Sequence, residues 1–369
     1  MGEPHRIGIV GTGWISGAYL GTLRDHPSVT IAAVADLDAS RAASVAAGIE
    51  GCRALPVDQL LRDDSIGTVL NLTVPAAHAS VALGAIDNNK QVYGEKPLAA
   101  DLPAARSVVE RAAALDVAVG CAPDTVLGTG VQTARATIDA GLIGRPLSAL
   151  AVMATPGHER WHHHPDFYYA PGGGPLLDMG PYYLTALVHL LGPIVAVTGA
   201  SSRRRSTRVI GSGPRAGEVI PVSVDTHVTG VLHHADGALS TITTSFDAVR
   251  TTAAPIEVHG ETGTLAVPDP NLFAGDVRLF ELGATEWRTV EPSAGYADAA
   301  RGIGLLDMLT TPAPRAGGTL ALHVLDAMTS LLRSADEGRR IELTTTTERP
   351  DPVPLVPAAT WRSQRPGSR

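Results

Sequence analysis

One lysine in this chain stands where proton chemistry would need it. The sequence holds 29 lysines and arginines together, and only Lys90 and Lys96 are lysines. Arginine therefore supplies nearly all positive charge, although a guanidinium cannot exchange a proton near neutral pH. A lysine can do so when partial burial lowers the pKa of its ammonium group. Lys96, in the segment Glu95-Lys96-Pro97, is therefore our first candidate for a group that gives or takes a proton.

A glycine-rich turn near the start of the chain has the pattern of a dinucleotide-binding loop. Gly11-Thr12-Gly13-Trp14-Ile15 follows an apolar run, and Asp36 closes the next apolar run. Glycines let the backbone approach a pyrophosphate, and the N-terminus of the following helix attracts its charge. Asp36 can accept hydrogen bonds from both ribose hydroxyls, which favours NAD, with NADP as the alternative. Ser16 replaces the usual third glycine, and a plain sharp turn beside a solvated acid is the competing interpretation.

A second glycine-rich segment precedes a helix that carries a carboxylate and a phenol. Asp178 and Tyr182 follow the glycines at 172–174 and lie four residues apart, so they share one helix face. Asp178 could orient a substrate hydroxyl or Lys96, and Tyr182 could pass a proton or donate to a developing alkoxide. A helix-capping acid beside a core tyrosine is the plainer interpretation.

The segment Trp161-His162-His163-His164 combines an indole with three imidazoles. Adjacent histidines cannot all face one ion and suitable partners are missing nearby, so we expect no metal site. A sugar platform fits better, because Trp161 can stack on a sugar face while His162 bonds its hydroxyls. A solvated loop is the alternative for this segment. A solvated connection is also favoured over phosphate binding for the basic loop Arg203–Arg205.

Composition excludes several classes of protein. The 369 residues carry a net charge of −8, which argues against nonspecific nucleic-acid binding. Two cysteines, Cys52 and Cys121, cannot build a disulfide framework or a cysteine-rich zinc site. No apolar run is long enough for a membrane span, and a strand is predicted from residue 6, which leaves no room for a secretory signal. These features predict a cytoplasmic enzyme that does not bind membranes.

The order of predicted elements changes near residue 124. Before it, apolar strands alternate with helices, which predicts an α/β Rossmann domain with a parallel sheet over 1–124. After it, consecutive strands predict an α+β domain with a large, open, mostly antiparallel sheet over 125–350. The region 351–369, rich in Pro, Arg and Ser, is expected to form an extended tail.

Together these segments resemble the Gfo/Idh/MocA oxidoreductase family over about residues 5–345. The resemblance rests on Gly11-Thr12-Gly13, Thr73-Val74-Pro75-Ala76-Ala77-His78, Glu95-Lys96-Pro97, Gly141–Gly144 and Gly173–Gly180. It implies NAD(P), sugar, cyclitol or glycoside substrates, and homodimers or homotetramers formed through the open sheet. The residues implied for cofactor binding are Gly11, Thr12, Gly13, Trp14, Ile15, Asp36, Thr73, Pro75, His78, Glu95 and Lys96. Those implied for the substrate are Lys96, Asp124, Trp161, His162, Asp178 and Tyr182.

One departure from the family pattern concerns the catalytic helix. Many members carry Asp-x-Gly-x-His-x-x-Asp, whereas this chain has Asp178, Gly180, Tyr182 and Thr185. Some sugar ketoreductases of the family resemble this chain in having tyrosine there. The sequence therefore predicts hydride transfer between nicotinamide and a sugar-like alcohol or ketone, with Lys96, Tyr182 and Asp178 as catalytic residues. The alternatives are an NAD-dependent glycoside hydrolase and a non-catalytic sugar or NAD sensor.

Overall fold

The computed structural model describes residues 3–365, which divide into two compact units. The first unit contains residues up to 129 together with 293–322 and the stretch from 350 onward. The second contains 130–292 and 323–349. The expected boundary near residue 124 lies close to the first division. The return of two later stretches to the first unit differs from the expectation.

The two units contain the following helices and strands. The strands are β1 (His5–Val10), β2 (Val29–Ala35), β3 (Arg53–Ala54), β4 (Thr68–Asn71), β5 (Gln91–Gly94), β6 (Val119–Cys121), β7 (Pro146–Ala154), β8 (Ile194–Ser202), β9 (Thr207–Val209), β10 (Val219–Pro221), β11 (His227–His234), β12 (Leu239–Ser245), β13 (Ile256–Gly260), β14 (Gly263–Val267), β15 (Val277–Glu281), β16 (Arg288–Val290) and β17 (Ile341–Glu342). The helices are α1 (Ser16–Leu23), α2 (Ala39–Ala47), α3 (Val57–Arg62), α4 (Pro75–Ile86), α5 (Leu102–Leu115), α6 (Thr129–Asp139), α7 (Asp166–Tyr169), α8 (Pro175–Leu191), α9 (Ile303–Thr310), α10 (Gly318–Glu337) and α11 (Ala358–Ser363).

The first unit is built on a parallel sheet of six strands in the order β3-β2-β1-β4-β5-β6. Its central strands are apolar and buried, as both faces of a covered parallel sheet require. The strand order reverses between β1 and β4, and such a reversal opens a crevice at the carboxyl ends of the strands. The predicted Rossmann sheet is confirmed, with the short edge strand β3 as an addition.

The C-terminal stretch is not an extended tail as far as residue 365. Trp361 on α11 is 4% exposed, and its indole nitrogen donates to the Ala297 carbonyl at 2.8 Å. Its ring stacks on His26 at 6.4 Å between centroids, and His26 Nε2 contacts the Trp361 carbonyl. Burial of such a large apolar ring contributes about 2–3 kcal/mol, which explains why a Pro- and Arg-rich segment packs against the first unit. The rest of the predicted tail, 366–369, lies outside the described residues.

The second unit is built on a sheet of nine strands in the order β16-β15-β14-β13-β7-β12-β11-β8-β17. Only β7 and β12 pair in parallel within it, so the predicted mostly antiparallel sheet is confirmed. Helix α10 packs closely on this sheet where Gly199 and Gly230 lie side by side. A Cβ on Gly199 would overlap the Leu331 carbonyl oxygen, so a glycine is needed for this approach.

Candidate functional site

The predicted nucleotide loop lies at the carboxyl end of β1. Gly11 has φ +96°, and a Cβ there would lie 2.5 Å from the Leu72 carbonyl oxygen, so only glycine fits. No atom lies within 4 Å of a Cβ built on Gly13, which leaves its surroundings open. Ser16, in the place of the third glycine, is buried and donates its hydroxyl to the Gly13 carbonyl at 2.6 Å. Ser16 in place of the third glycine is therefore accommodated, because its hydroxyl finds a hydrogen-bond partner within the loop itself.

Asp36 ties the end of β2 to this loop. The amide and hydroxyl of Thr12 donate to Asp36 Oδ2 at 2.7 and 2.9 Å, and the Asp38 amide donates to Oδ1 at 2.9 Å. Burial acts to raise the pKa of Asp36, but the hydrogen bonds from Asp38 and Thr12 outweigh it and hold the pKa below its usual value. The carboxylate is thus ionised at neutral pH, and a 2′-phosphate beside it would be repelled.

We expect Asp36→Ala to shift cofactor preference toward NADPH. The Arg41 guanidinium lies 3.9 Å from Asp36, so the variant removes an anion and leaves a cation near the expected ribose. A like-charge contact costs several kcal/mol, so the ratio of the dissociation constants for NADH and NADPH should change by about tenfold or more. Fluorescence titration with NADH and with NADPH measures the two dissociation constants. Asp38→Asn is the control, since asparagine can still cap α2; an equal shift in that variant would contradict the role of Asp36.

Three apolar side chains at this edge of the sheet are exposed. Trp14 is 94% exposed, Leu37 is fully exposed and Val74 is 67% exposed, and they follow β1, β2 and β4. A dinucleotide presents an apolar adenine face that such side chains can cover. Trp14 was among the predicted residues, whereas Leu37 and Val74 were missed. Their position directly after Asp36 and Thr73 was the signal that could have found them.

His78 connects two loops of the first unit. Its Nδ1 lies 2.6 Å from the Pro97 carbonyl oxygen and its Nε2 lies 2.9 Å from the Thr73 carbonyl oxygen. The side chain is 2% exposed, and the Thr73 hydroxyl donates to Asn71 Oδ1 at 2.7 Å. His78 therefore braces the loop that begins at Pro75 against the turn that carries Lys96. Contact of Thr73, Pro75 and His78 with a cofactor stays a prediction.

Lys96 lies in a braced turn directly after β5 and is half-buried. Glu95 accepts the Tyr19 hydroxyl at 2.8 Å through Oε1 and the Lys96 amide at 3.1 Å through Oε2. The Lys96–Pro97 peptide is cis. The other lysine, Lys90, is 3% exposed and donates to two backbone carbonyls, those of Asp63 and Ile66. Only Lys96 therefore stands at the carboxyl edge of the parallel sheet.

Asp124 lies just beyond β6 and is completely buried. Its carboxylate accepts hydrogen bonds from Arg301 at 3.2 Å and from the amides of Gly302 and Gly304 at 2.8 and 3.3 Å. Burial raises its pKa, against the lowering effect of Arg301 and the two amides. These bonds fix the start of α9 on the first unit. Contact of Asp124 with a substrate stays a prediction.

Helix α8 of the second unit carries Asp178 and Tyr182. Gly174 precedes it with φ +95°, a conformation that L residues rarely adopt. Asp178 lies in the first turn with its side chain 17% exposed, and Tyr182 lies one turn later and is 7% exposed. Because residues four apart lie on the same face of an α-helix, Asp178 and Tyr182 share one face of α8, as predicted. The pair can offer a carboxylate and a phenol to the same ligand.

A residue that the sequence reasoning missed contacts Asp178. His158 Nε2 lies 2.9 Å from Asp178 Oδ2, and the His158 side chain is 11% exposed. His158 lies in a short 3-10 turn, His158–Arg160, that follows β7. No local signal singled it out, because it stands twenty residues from its partner and next to a run of three other histidines.

The segment after His158 forms an aromatic cluster. Trp161 is 58% exposed and Phe167 is 56% exposed, and His162 packs edge-on against both rings at 5.4 Å. Tyr168 lies 4.0 Å from Phe167 between ring centroids. His162 Nδ1 accepts the His164 amide at 3.0 Å, and burial lowers the pKa of its ring. The cluster offers apolar faces and an imidazole, as the sugar-platform hypothesis requires, and Phe167 and Tyr168 extend it beyond the predicted residues.

Two arginines of the basic loop Arg203–Arg205 interact with other residues of the second unit. Arg203 donates to the Val222 carbonyl at 3.2 Å, and Arg205 lies 3.9 Å from Asp247. Arg204 is exposed.

Across residues 3–365, no three His, Cys, Asp or Glu side chains come together as a metal-binding group.

Comparison with known protein families decides the relationship. The oxidoreductase family with an NAD-binding Rossmann fold matches residues 5–122, and the GFO/IDH/MocA C-terminal domain matches residues 131–266. The chain belongs to the Gfo/Idh/MocA family. The resemblance stated from the sequence is thereby confirmed, as is NAD as the cofactor type of the family's N-terminal domain.

Two curated members share moderate sequence identity with the chain. It is 32% identical over 219 residues to dTDP-3,4-didehydro-2,6-dideoxy-alpha-D-glucose 3-reductase of Streptomyces antibioticus, covering 58% of this chain and 65% of that one. It is 34% identical over 163 residues to inositol 2-dehydrogenase 3 of Saccharopolyspora erythraea, covering 43% of this chain and 47% of that one. The aligned part thus spans less than two thirds of the first of these members and about half of the second.

A solved family structure shows the same fold. An NAD-binding oxidoreductase from Klebsiella pneumoniae superposes with a TM-score of 0.81 over 93% of this chain and 100% of its own, at 21% identity. Among the helices formed by residues 3–365, none is long and apolar enough to cross a membrane.

Proposed function

We propose that this protein is an NAD-dependent oxidoreductase that interconverts a secondary alcohol and a ketone on a sugar, cyclitol or glycoside. The observation that carries the proposal is the family-type nucleotide loop with an ionised Asp36, in a chain that also has Lys96, Asp178 and Tyr182. The named relatives act on a deoxysugar and on inositol, which supports this substrate class.

The residues of the first unit fit the cofactor. Gly11 permits the tight turn against Leu72, the surroundings of Gly13 are open for a pyrophosphate, Asp36 would accept the ribose hydroxyls, and Trp14 and Leu37 present apolar faces. NAD(H) bound there supplies the hydride acceptor or donor.

In the proposal, Lys96 and Tyr182 handle the proton together, and Asp178 orients the substrate. Lys96 carries positive charge that stabilises the developing alkoxide and relays its proton. Tyr182 donates its phenolic hydrogen to the substrate oxygen, which suits reduction of a ketone better than unaided abstraction of a proton. Asp178 accepts a substrate hydroxyl and so orients the ring, while Trp161 and His162 bind its outer side.

The test is NADH absorbance at 340 nm, with NAD and NADP each offered against sugars, inositols, glycosides and their keto forms. Net oxidation or reduction with one class supports the proposal and fixes the direction. Glycoside cleavage with no net NADH would replace it with the redox hydrolase. Cofactor and sugar binding without any turnover would replace it with a sensor.

We also propose that the protein forms a homodimer or homotetramer through the open face of the nine-stranded sheet. Thr241 lies opposite Leu150 on one side and Val231 on the other, so the three share this face. Leu150 is 43% exposed and Leu239, two residues from Thr241, is 44% exposed. Apolar side chains of this size on a broad sheet surface are typical of association sites.

Leu150→Glu is expected to convert the oligomer into monomers, because it places buried charges at the centre of the association surface. Light scattering coupled to size exclusion measures the mass. Leu282→Glu is the control, since Leu282 is 81% exposed in the turn after β15. An unchanged mass for Leu150→Glu, or an equal effect of both variants, would exclude this face as the interface.

A further inference from the structure

We propose that His158 is a positioning residue, whose neutral imidazole, protonated on Nε2, fixes the orientation of the Asp178 carboxylate. The proposal rests on the proposed function only in that Asp178 serves the reaction. It assigns a role to a residue outside the family pattern, in which the histidine stands on the helix where this chain has Tyr182.

The contact itself requires a hydrogen on Nε2. His158 Nε2 and Asp178 Oδ2 are 2.9 Å apart, and the two side chains are 11% and 17% exposed. An ionised carboxylate can only accept hydrogen bonds, so the imidazole nitrogen must be the donor. A hydrogen bond to a charged group in a partly buried place is among the stronger ones in a protein.

The surroundings of Nδ1 select the neutral form of the ring. Nδ1 is buried, and no group of residues 3–365 forms a hydrogen bond with it. The rings of Trp161, Tyr168 and Phe246 lie 5.2, 4.6 and 4.5 Å from the His158 ring between centroids. A hydrogen on Nδ1 would be a buried donor without an acceptor, which is among the rarest and costliest arrangements in proteins. These surroundings therefore favour a lone pair on Nδ1 and the hydrogen on Nε2.

The turn that carries His158 is anchored from the next residue. Glu159 is 5% exposed, accepts the Tyr169 hydroxyl, and lies 3.2 Å from Arg208. Arg208 in turn bonds Asp247 at 2.6 Å. Gly157, on the other side, has φ +108°, and a Cβ there would overlap the Glu159 carboxylate. The backbone beneath His158 is thus held by a buried ion-pair network, which a passive surface loop would not need.

The consequence is a carboxylate with one preset direction. Asp178 stands in the first turn of a helix, where its side chain could otherwise turn back to cap the backbone amides. The bond to His158 opposes that alternative and keeps the carboxylate beside the aromatic cluster. Because the carboxylate remains partly exposed, it can still receive a substrate hydroxyl.

The first test needs neither substrate nor cofactor. Long-range ¹H–¹⁵N spectra of the 369-residue protein labelled at its 13 histidines report the tautomer of each ring, and His158→Gln assigns the signal. We expect His158 as the neutral Nε2–H form at neutral pH, with its signal altered in Asp178→Ala. A hydrogen on Nδ1, or a His158 signal that stays the same in Asp178→Ala, would overturn the proposal.

The second test measures kcat and KM on whichever substrate the absorbance panel yields. We expect His158→Phe, which keeps a ring but loses the donor, to lower kcat about tenfold to a hundredfold with a smaller change in KM. His158→Gln should recover most of this loss, because its amide can donate to Asp178. No recovery by glutamine, or an unchanged kcat in His158→Phe, would reduce His158 to a packing residue.

A buried histidine elsewhere in the second unit serves as the control. His234 is 3% exposed, and its two ring nitrogens bond the Gly192 carbonyl and the Ser240 hydroxyl. His234→Phe should lower the melting temperature without changing kcat of the folded enzyme. An equal loss of kcat in both variants would mean that general destabilisation explains the effect. If the panel shows no turnover, the proposed function fails while the tautomer test still decides the contact.

Discussion

Replacing Lys96 with methionine is expected to lower turnover by about a thousandfold or more, since both acid–base catalysis and charge stabilisation are lost together. Methionine has similar length and no charge. The Lys96 amide donates to the Glu95 carboxylate, and methionine keeps this main-chain contact in the turn. NADH should still bind, because the nucleotide loop and Asp36 are unchanged. Stopped-flow or steady-state absorbance at 340 nm measures turnover, and fluorescence titration measures binding.

Lys96→Arg separates the two tasks that we propose for the lysine. Arginine keeps the positive charge but does not exchange its proton near neutral pH. A rate between those of Lys96→Met and the unaltered protein would show that charge contributes on its own. Retained turnover in Lys96→Met, with normal NADH binding, would reject the catalytic role of Lys96.

Replacing Tyr182 with phenylalanine is expected to lower kcat by about a hundredfold to a thousandfold, because one positioned proton donor is removed. The ring stays in place, since Tyr182 is 7% exposed and the variant removes only its hydroxyl. The loss should appear in kcat more than in KM if the phenol acts mainly in the transition state. Steady-state kinetics in the direction found by the panel measures both constants.

The neighbouring tyrosine on the same helix is the matched control. Tyr183 is 3% exposed, its hydroxyl lies 3.5 Å from Asp269 Oδ1, and burial raises its pKa well above the usual value. Tyr183→Phe therefore removes an equivalent hydroxyl from the same helix and should leave kcat nearly unchanged. Similar losses in both variants would assign the effect of Tyr182→Phe to the packing of α8.

A double variant tests whether the two residues serve one proton transfer. Lys96 belongs to the first unit and Tyr182 to the second. Residues that act as a unit have strongly non-additive effects, so Lys96→Met with Tyr182→Phe should be little slower than Lys96→Met alone. Additive losses would show that the two groups act in separate steps.

Features that depend on local sequence pattern were predictable before the structure was known. The alternation of buried strands and helices before residue 124 predicted the parallel sheet, and the later run of strands predicted the mostly antiparallel one. Gly11, Asp36 and Glu95-Lys96-Pro97 lie at the carboxyl ends of β1, β2 and β5, where their order along the chain placed them. Such features follow from side-chain periodicity and turn chemistry, which short stretches of sequence encode.

Contacts between residues far apart in the sequence were not predictable and emerged from the folded structure. It showed that Asp124 bonds Arg301, that Trp361 packs on His26, and that His158 contacts Asp178. None of these pairs has a local signature, because each joins segments whose approach depends on packing of the whole unit. A carboxylate in a helical first turn predicts a cap or a ligand contact equally well. Its actual partner follows from which loop the fold brings beside it.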